Sequence, residues 1–286
     1  MLQDNLRLQR RRFLATVLGS GLYFWLSQSQ AAAVAKKIET TSEIDDHAIR
    51  DAIKKAQNFE HDYPDDIYLN ATQSQILTTA QQRLTRLQRT VGYANFNLIS
   101  FDAAVKYAKR YSVIGAFSLQ ELALIEMLFA NDAKEYGFLG EKVSTTLTDV
   151  IRRNDVLKVR GTGHYVYKGE ALNTYTKISK VIGPDLQLTS GVRSVVKQLH
   201  LFMAKAVKSN GNLSRASRSL APPGHSFHGI GDFDVGKKGL GAANFTSQFA
   251  KTDIYQRLCD LGLISMRYPY ANAYGVRHEP WHIKVV

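Results

Sequence analysis

The sequence predicts an α+β fold, in which a mainly helical N-terminal region precedes a small mixed or antiparallel sheet surrounded by helices. Two observations favour this class. Between residues 73 and 155 apolar side chains recur at helical spacing, whereas after residue 155 short β-type runs alternate with helical segments. The chain has 286 residues, of which 44% are hydrophobic, so it is long and apolar enough for one sizeable core or two small ones.

Two amphipathic segments predict the helical N-terminal region, residues 73–155. From Gln73 to Val91 the apolar side chains fall three or four positions apart, which places them on one buried stripe of a helix. Ser118 and Glu121 then form a capping-box pattern, in which each side chain accepts a hydrogen bond from the backbone of the other. We therefore expect a second helix to begin just after Ser118.

Short β-type runs predict the sheet of the C-terminal domain, residues 156–286. Glycine, serine and proline residues separate these runs, as is usual between strands. The predicted strands are Val156–Val159, Tyr165–Tyr167, Leu186–Thr189 and Trp281–Val286. Helical spacing predicts one helix through Val195 and Val207 and a shorter helix from Asp253 to Leu261.

Residues 1–35 have the three parts of a bacterial signal peptide. Arg10–Leu14 is basic, an apolar stretch follows to about Leu26, and Ala31–Ala35 offers small-residue cleavage patterns. The arginines resemble a twin-arginine signal. We therefore predict an exported, periplasmic protein without stable membrane insertion after cleavage; an uncleaved basic membrane anchor is the alternative. Residues 36–72 are polar and predict a linker with a short helix.

Charge and cysteine content narrow the function classes. The formal net charge is +12, and a basic surface attracts polyanions such as nucleic acid, anionic lipid or wall polymers. The sequence carries no recognisable nucleic-acid-binding motif, and with an export signal we expect no nucleic-acid partner. Cys259 is the only cysteine, which excludes an internal disulfide and any cysteine-rich zinc site. A metal in this chain must therefore be held by histidine and carboxylate side chains.

Several residues of the C-terminal domain suit metal-assisted hydrolysis. His228 and a nearby aspartate can supply two zinc ligands, and His282 can supply a third from a distant strand. Glu279 lies three positions before His282, close enough to serve as a general base that takes a proton from water. A fixed cation such as Arg193 can stabilise the oxyanion that forms on the attacked carbonyl.

The order and spacing of these residues resemble the VanY-type D-alanyl-D-alanine carboxypeptidases. These are zinc peptidases related to the VanX-type dipeptidases and to the zinc fold of hedgehog signalling domains. The resemblance covers about residues 186–286. It rests on four motifs: Ser190-Gly191-Val192-Arg193-Ser194, the segment from Pro223 to Asp234, Arg267-Tyr268-Pro269, and Glu279-Pro280-Trp281-His282. The last tetrapeptide is highly specific.

This resemblance implies an activity. We expect zinc-dependent hydrolysis of D-Ala-D-Ala-type bonds in peptidoglycan stem peptides, in a cleft that holds the metal. Two alternatives stay open. One is a D,D-endopeptidase of the same fold that cuts crosslinks, and the other is a non-catalytic, zinc-containing module that binds the cell wall.

The resemblance also implies a role for each site residue. His228 and His282 would be zinc ligands, with an aspartate as the third. Glu279 would be the catalytic base, and Arg193 would stabilise the oxyanion. Three further side chains would bind the substrate: Gln198, Ser226 and Tyr268.

The choice of the third ligand depends on how the loop after His228 is aligned. The family places its aspartate seven positions after the histidine, whereas Asp234 follows His228 by six. If the missing residue is placed directly after Gly231, Asp234 becomes the ligand. Asp232 would then point to the same face of a strand and could orient a ligand histidine. The alternative alignment pairs His225 with Asp232, which are seven positions apart.

Overall fold

The structure is a computed structural model that describes residues 46–286, and these residues belong to one compact unit. The predicted signal peptide, residues 1–35, and the first part of the predicted linker, residues 36–45, lie outside the described residues. Within the described range, no helix combines the length and the apolar composition needed to cross a bilayer.

The α+β class predicted from the sequence is confirmed by helices and small antiparallel sheets in the described residues. The helices are α1 (Asp46–Gln57), α2 (Ala71–Val91), α3 (Tyr93–Phe96), α4 (Phe101–Arg110), α5 (Leu119–Ala130), α6 (Glu170–Ile182), α7 (Val195–Lys208), α8 (Leu213–Ser219) and α9 (Asp253–Asp260). The strands are β1 (Val156–Lys158), β2 (Tyr165–Tyr167), β3 (Leu186–Ser190), β4 (Phe233–Lys237) and β5 (His282–Ile283). Strand β1 pairs with β2, and the second sheet has the order β3-β4-β5.

Capping residues define where the two helices predicted from the sequence begin. Asn70 caps α2, because its side chain accepts from the backbone N–H of Gln73 while the Gln73 side chain accepts from the N–H of Asn70. The predicted capping box of Ser118 and Glu121 opens α5. The carboxylate of Glu121 also lies 3.0 Å from Nε of Arg83 on α2. The start of α5 is thereby fixed against α2.

The largest hydrophobic core joins the N-terminal helices to α7. Helices α2, α4 and α5 contribute apolar side chains to it, and α7 adds Leu199, Phe202 and Met203, all fully buried. Burial of large aliphatic and aromatic side chains is the main stabilising term in a fold of this kind. Because helices from both sides of residue 155 share this core, the predicted boundary at that residue falls inside one compact unit.

A second hydrophobic core lies on one face of the three-stranded sheet. Phe233 and Val235 of β4 pack into this core with residues of α6 and α9. Successive side chains of a strand point to opposite faces, so Asp234, between them, faces away from the core. The fold thus places a carboxylate on the face of its central strand that is opposite this core.

Strand β5 is shorter than predicted: it ends at Ile283, whereas the sequence pattern predicts a strand to Val286. The backbone N–H of Val285 donates to Oδ1 of Asp232 at 2.8 Å instead of entering the sheet. The N–H of Val285 is therefore satisfied by a side-chain carboxylate and not by a neighbouring strand.

Candidate metal centre

Three side-chain atoms converge on one point above the sheet. Nε2 of His228 lies 3.2 Å from Oδ1 of Asp234, and Nδ1 of His282 lies 3.3 Å from the same oxygen. One ligand atom from each residue lies within 4.8 Å of the others. All three residues are buried. The structure thus brings together the two histidines and the aspartate that the sequence analysis selected.

Neighbouring strands and one turn position this cluster. Asp234 of β4 is paired with His282 of β5 and, on its other side, with Ser190 of β3. His228 comes from the short 3-10 turn Phe227–Gly229, and its carbonyl oxygen accepts from the backbone N–H of Arg193 at 3.2 Å. Residues distant in sequence are therefore held at fixed positions by backbone hydrogen bonds.

The hydrogen bonds of the two histidines decide which nitrogen faces the cluster. Nδ1 of His228 lies 2.8 Å from the carbonyl oxygen of Gly191, which can only accept, so Nδ1 carries the proton. Nε2 of His282 lies 3.0 Å from Oδ2 of Asp232, so this nitrogen also donates. Each ring therefore turns its other nitrogen towards Asp234. Metal-binding histidines in proteins are usually held in this way.

Two atoms of the cluster lack the hydrogen bonds that buried polar atoms normally make. Nε2 of His228 and Oδ1 of Asp234 are both buried without a hydrogen-bond partner. A buried acceptor without a partner is costly, and a bound cation would satisfy both atoms at once. Two imidazole nitrogens and one carboxylate oxygen also form an established zinc-binding set. The residues present therefore fit a divalent cation held by His228, Asp234 and His282.

The electrostatics of the cluster agree with this fit. Burial and the positive charge of Arg193 lower the pKa of His228. Burial alone would raise the pKa of Asp234, but His228 and Arg193 outweigh it and hold that pKa well below its ordinary value. Burial would likewise lower the pKa of His282, but hydrogen bonds with Asp232 and Glu279 raise it to about 9. A cation that binds here must displace a proton from His282.

Asp232 connects the cluster to the segment that follows β5. Its carboxylate receives His282 Nε2 on one side, and Arg267 on the other, at 2.8 Å to Nε and 3.2 Å to Nη2. It also accepts from the backbone N–H groups of Val285 and Val286. Burial opposes ionisation, but His282 and Arg267 hold the pKa of Asp232 far below its usual range. Asp232 is therefore a fully hydrogen-bonded carboxylate.

Arg267 contacts the surroundings of the cluster in a way that the sequence analysis missed. Its guanidinium group stacks over the ring of Phe227, 3.8 Å from the ring centroid, while it binds Asp232. Phe227 directly precedes His228, and Asp232 hydrogen-bonds to His282. Arg267 therefore contacts a neighbour of each of the two histidines. One signal in the sequence could have indicated this contact. Asp232 is a second acidic residue close to the ligand Asp234, and a buried carboxylate needs a cationic partner.

Glu279 and Arg193 lie against the cluster from different sides. Oε2 of Glu279 is 3.5 Å from Nδ1 of His282, the nitrogen that faces Asp234. Nη2 of Arg193 lies 2.5 Å from Oδ2 of Asp234, and its Nε donates to Oγ of Ser190 at 2.9 Å. A carboxylate and a guanidinium group thus contact residues of the same cluster.

The three side chains predicted to bind substrate have different surroundings. Both polar ends of Gln198 are engaged, because its amide donates to the Arg193 carbonyl at 3.1 Å and accepts from the N–H of Gly224 at 2.9 Å. Substrate contact would require one of these bonds to open. Ser226 lines a small pocket with Arg193 and Gln198. Tyr268 is buried with its ring edge-to-face on His282, at 4.9 Å between centroids.

The alternative alignment through His225 receives no geometric support. The ring of His225 packs against Phe138 at 5.4 Å between centroids, and its Nδ1 lies 3.3 Å from the carbonyl of Pro223. Among the described residues, the group with metal-binding geometry consists of His228, Asp234 and His282 and does not include His225.

Three solved structures are similar to part of the chain. The LdcB LD-carboxypeptidase is 20% identical with a TM-score of 0.39, over 48% of this chain and 70% of that one. A Zn(II) complex of a mutant of the VanY D,D-pentapeptidase from a VanB-type resistance cassette is 22% identical with a TM-score of 0.36, over 46% and 78%. VanYB with D-alanine-D-alanine is 22% identical with a TM-score of 0.37, over 46% and 76%.

These three likenesses are too distant to support an argument about activity. No curated protein matches the chain. The family match is more specific, because residues 167–286 fit the model of the VanY family, described as D-alanyl-D-alanine carboxypeptidase. That segment contains all three members of the cluster, together with Glu279 and Arg193. The part of the chain that builds this centre, residues 167–286, therefore matches the VanY family model.

Proposed function

We propose that the protein is a zinc-dependent D,D-carboxypeptidase that removes the terminal D-alanine from D-Ala-D-Ala ends of peptidoglycan stem peptides. The observation that carries this proposal is the convergence of His228, Asp234 and His282, with Glu279 beside them, inside a segment that matches a carboxypeptidase family. The family match supports the substrate class, and the two unpartnered ligand atoms support the metal.

The chemistry divides between the metal and the protein. A zinc ion held by His228, Asp234 and His282 would supply Lewis-acid polarisation of the scissile carbonyl and activation of water at neutral pH. Glu279 is placed to accept the proton of the attacking water and to pass it to the leaving amine, because its carboxylate borders the ligand atom of His282. This step needs a carboxylate that does not itself bind the metal.

Arg193 supplies a fixed positive charge at the same site. Its guanidinium group is already held by Asp234 and by Ser190, so it loses little conformational entropy when substrate binds. A preorganised cation stabilises negative charge that develops on a carbonyl oxygen. Ser226, in the pocket beside Arg193, is suited to hydrogen-bond the terminal carboxylate of a peptide.

Digestion of purified muropeptides tests the proposal. Loss of one terminal alanine from a pentapeptide, identified by mass spectrometry, is the expected result. Conversion of crosslinked dimers into monomers would instead identify an endopeptidase. Activity should disappear with a chelator and return with zinc, and a Glu279→Gln variant serves as the inactive control. If neither monomers nor dimers change, the proposed function is wrong.

The proposed place of action is the cell envelope. Residues 1–35 support export, because their basic, apolar and small-residue parts follow the order of a bacterial signal peptide. An exported enzyme would meet its peptide substrates on the outer side of the cytoplasmic membrane.

A further inference from the structure

A groove of about 870 Å³ runs beside β3, outside the metal centre. We call it the β3-edge groove. One wall is formed by residues 186–189 of β3, and the opposite wall by the turn at residues 160–164. None of the residues assigned above to catalysis, metal binding or substrate binding lines it. The volume is within the range of sites that bind small ligands and short peptides.

The groove exposes a sheet edge. In the described part of the chain, β3 lies at the end of the order β3-β4-β5 and pairs with β4 alone. One row of its backbone N–H and C=O groups therefore has no neighbouring strand. An extended peptide can satisfy such a row by adding to the sheet as another strand. Backbone pairing of this kind supplies affinity for peptides and little for other ligands.

Two hydroxyl groups in the groove wall are also unsatisfied. Oγ1 of Thr189 on β3 and Oγ of Ser179 on α6 have no hydrogen-bond partner, and both residues line the groove. Buried hydroxyl groups normally find a partner within the protein or in a bound molecule. A polar, hydrogen-bonding occupant would supply one here.

The charge of the groove selects among peptides. Arg160 and Lys238 contribute cationic groups to its lining, and no aspartate or glutamate is among the described residues that line it. Both cationic side chains lie at the surface. A peptide that carries side-chain carboxylates would gain from two cations in a groove without competing acidic groups.

The groove leads to the metal centre at one end. Strand β3 ends at Ser190, whose hydroxyl accepts from Nε of Arg193 and which pairs with Asp234. His164 lies in the opposite wall, near enough to Arg193 and Asp234 for their charges to affect its pKa. A strand laid along β3 would therefore deliver its end to the cluster.

We infer that the β3-edge groove binds an extended, carboxylate-bearing peptide segment, which adds to β3 and places its carboxylates on Arg160 and Lys238. The identification of this segment as the part of the substrate that precedes the scissile bond rests on the proposed function. The binding itself does not, because it involves none of the catalytic residues.

Titration calorimetry with two synthetic peptides tests the inference. Acetyl-Ala-Glu-Ala-D-Ala and acetyl-Ala-Gln-Ala-D-Ala differ in one side-chain charge, and neither contains a D-Ala-D-Ala bond to be cut. We expect the wild-type protein to bind the glutamate peptide about two- to fivefold more tightly, the size expected for a charge pair at the protein surface. Arg160→Gln combined with Lys238→Gln should abolish this preference.

Lys180→Gln is the matched control, because Lys180 is an exposed lysine on α6 outside the groove lining. It should leave the preference unchanged, and thermal melts of all variants should coincide. Equal affinity of the wild-type protein for the two peptides would overturn the inference, as would a preference that survives in the double variant. Strand addition has a further test. Because alternate residues of a strand pair with a given neighbour, methylation of one amide nitrogen should weaken binding much more than methylation of the next.

The outcomes separate this inference from the proposed function. Hydrolysis of muropeptides without a charge preference in binding would leave the enzyme proposal intact and reject the groove as an acidic-peptide site. A charge preference in binding without hydrolysis would support the groove as an acidic-peptide site and reject the enzyme proposal.

Discussion

Nε2 of His282 lies 3.0 Å from Oδ2 of Asp232, while Nδ1 of the same ring faces Oδ1 of Asp234. Two aspartates separated by one residue thus contact opposite nitrogens of one histidine. Only Asp234 also faces His228. The two carboxylates are therefore expected to differ in what they do for the metal, and substitution can separate them.

Asp234→Asn should remove the metal, whereas Asp232→Asn should retain it with weaker affinity. Asp234 supplies a ligand oxygen, and Asp232 orients His282, a contribution worth about 10–100-fold in metal affinity. The measurement is zinc content of each purified variant after dialysis against a weak chelator. If Asp232→Asn emptied the site and Asp234→Asn did not, the assignment of Asp234 would be wrong, and the pairing of His225 with Asp232 would need to be reconsidered.

Glu279→Ala should leave fold and zinc content near those of the wild type and reduce kcat by at least about 100-fold, since a general base contributes roughly that much or more. Its carboxylate lies beside His282 but is not needed to complete the three-residue cluster. Steady-state hydrolysis and metal analysis of the same preparation check both statements. Loss of zinc would make Glu279 a ligand, and full activity would exclude it as the base.

Gly191→Ala should weaken both the fold and the metal site. A Cβ atom at this position would lie 1.9 Å from the carbonyl oxygen of Tyr165, which accepts from the N–H of Val192 at 2.7 Å. Overpacking of this kind costs about 1–3 kcal/mol. The displaced backbone would also move the carbonyl that holds His228. We expect a lower melting temperature and a lower zinc affinity.

Gly239→Ala is the control for that variant. Gly239, unlike Gly191, lies in the left-handed region, at φ +80°, and an added Cβ there would contact nothing within 4 Å. Its substitution should cost stability through backbone strain alone and leave zinc affinity unchanged. Equal effects of the two substitutions on zinc affinity would show that the contact between Gly191 and Tyr165 does not support the centre.

Acid should destabilise the protein in part through His200. This ring is buried against Phe96, hydrogen-bonds with Thr85 at 3.0 Å, and has no partner for Nδ1. Burial, and then the charge of Lys197, lower the pKa of His200 from 6.5 to about 4. Between pH 6.5 and 4 the unfolded chain therefore binds a proton that the folded chain does not, and the free energy of unfolding falls as pH falls.

His200→Gln should flatten that pH dependence by up to about 3 kcal/mol across this window. His164, whose pKa is also lowered to about 4, should account for part of the remaining slope. Urea denaturation at several pH values gives the slope directly. His61→Gln, at an exposed histidine, is the matched control. An unchanged slope in His200→Gln would contradict the assignment.

Export should depend on the arginines of Arg10–Leu14. If the signal uses the twin-arginine route, replacement of Arg10, Arg11 and Arg12 with lysine should leave precursor inside the cell. Fractionation and immunoblotting measure this. Normal processing and export of the variant would reject the twin-arginine assignment while leaving a general secretory signal possible.

Local patterns predicted much of the fold. The capping box of Ser118 and Glu121 and the helical stripe of Gln73–Val91 need only neighbouring residues, and the structure contains both helices. The motifs with His228 and His282 likewise selected side chains that the fold brings together. Here residue type and spacing carry the information, because a zinc site requires particular atoms at particular places along a strand.

Other features depend on contacts between distant residues and could not be predicted from such patterns. The end of β5 is set by the carboxylate of Asp232, which takes the N–H of Val285 out of the sheet. Both polar ends of Gln198 are engaged by backbone groups of two separate loops. Which of several acceptors a donor finds is decided by tertiary packing, and one sequence does not reveal it.

The core shared by α7 with α2, α4 and α5 has a consequence for transplantation between proteins. If residues 156–286 were moved to another host without the preceding helices, Leu199, Phe202 and Met203 would be left facing water. Loss of burial for three such side chains amounts to several kcal/mol, about the whole stability of a small domain. Chimaeras between relatives should therefore take the N-terminal helices and the C-terminal domain from the same parent protein.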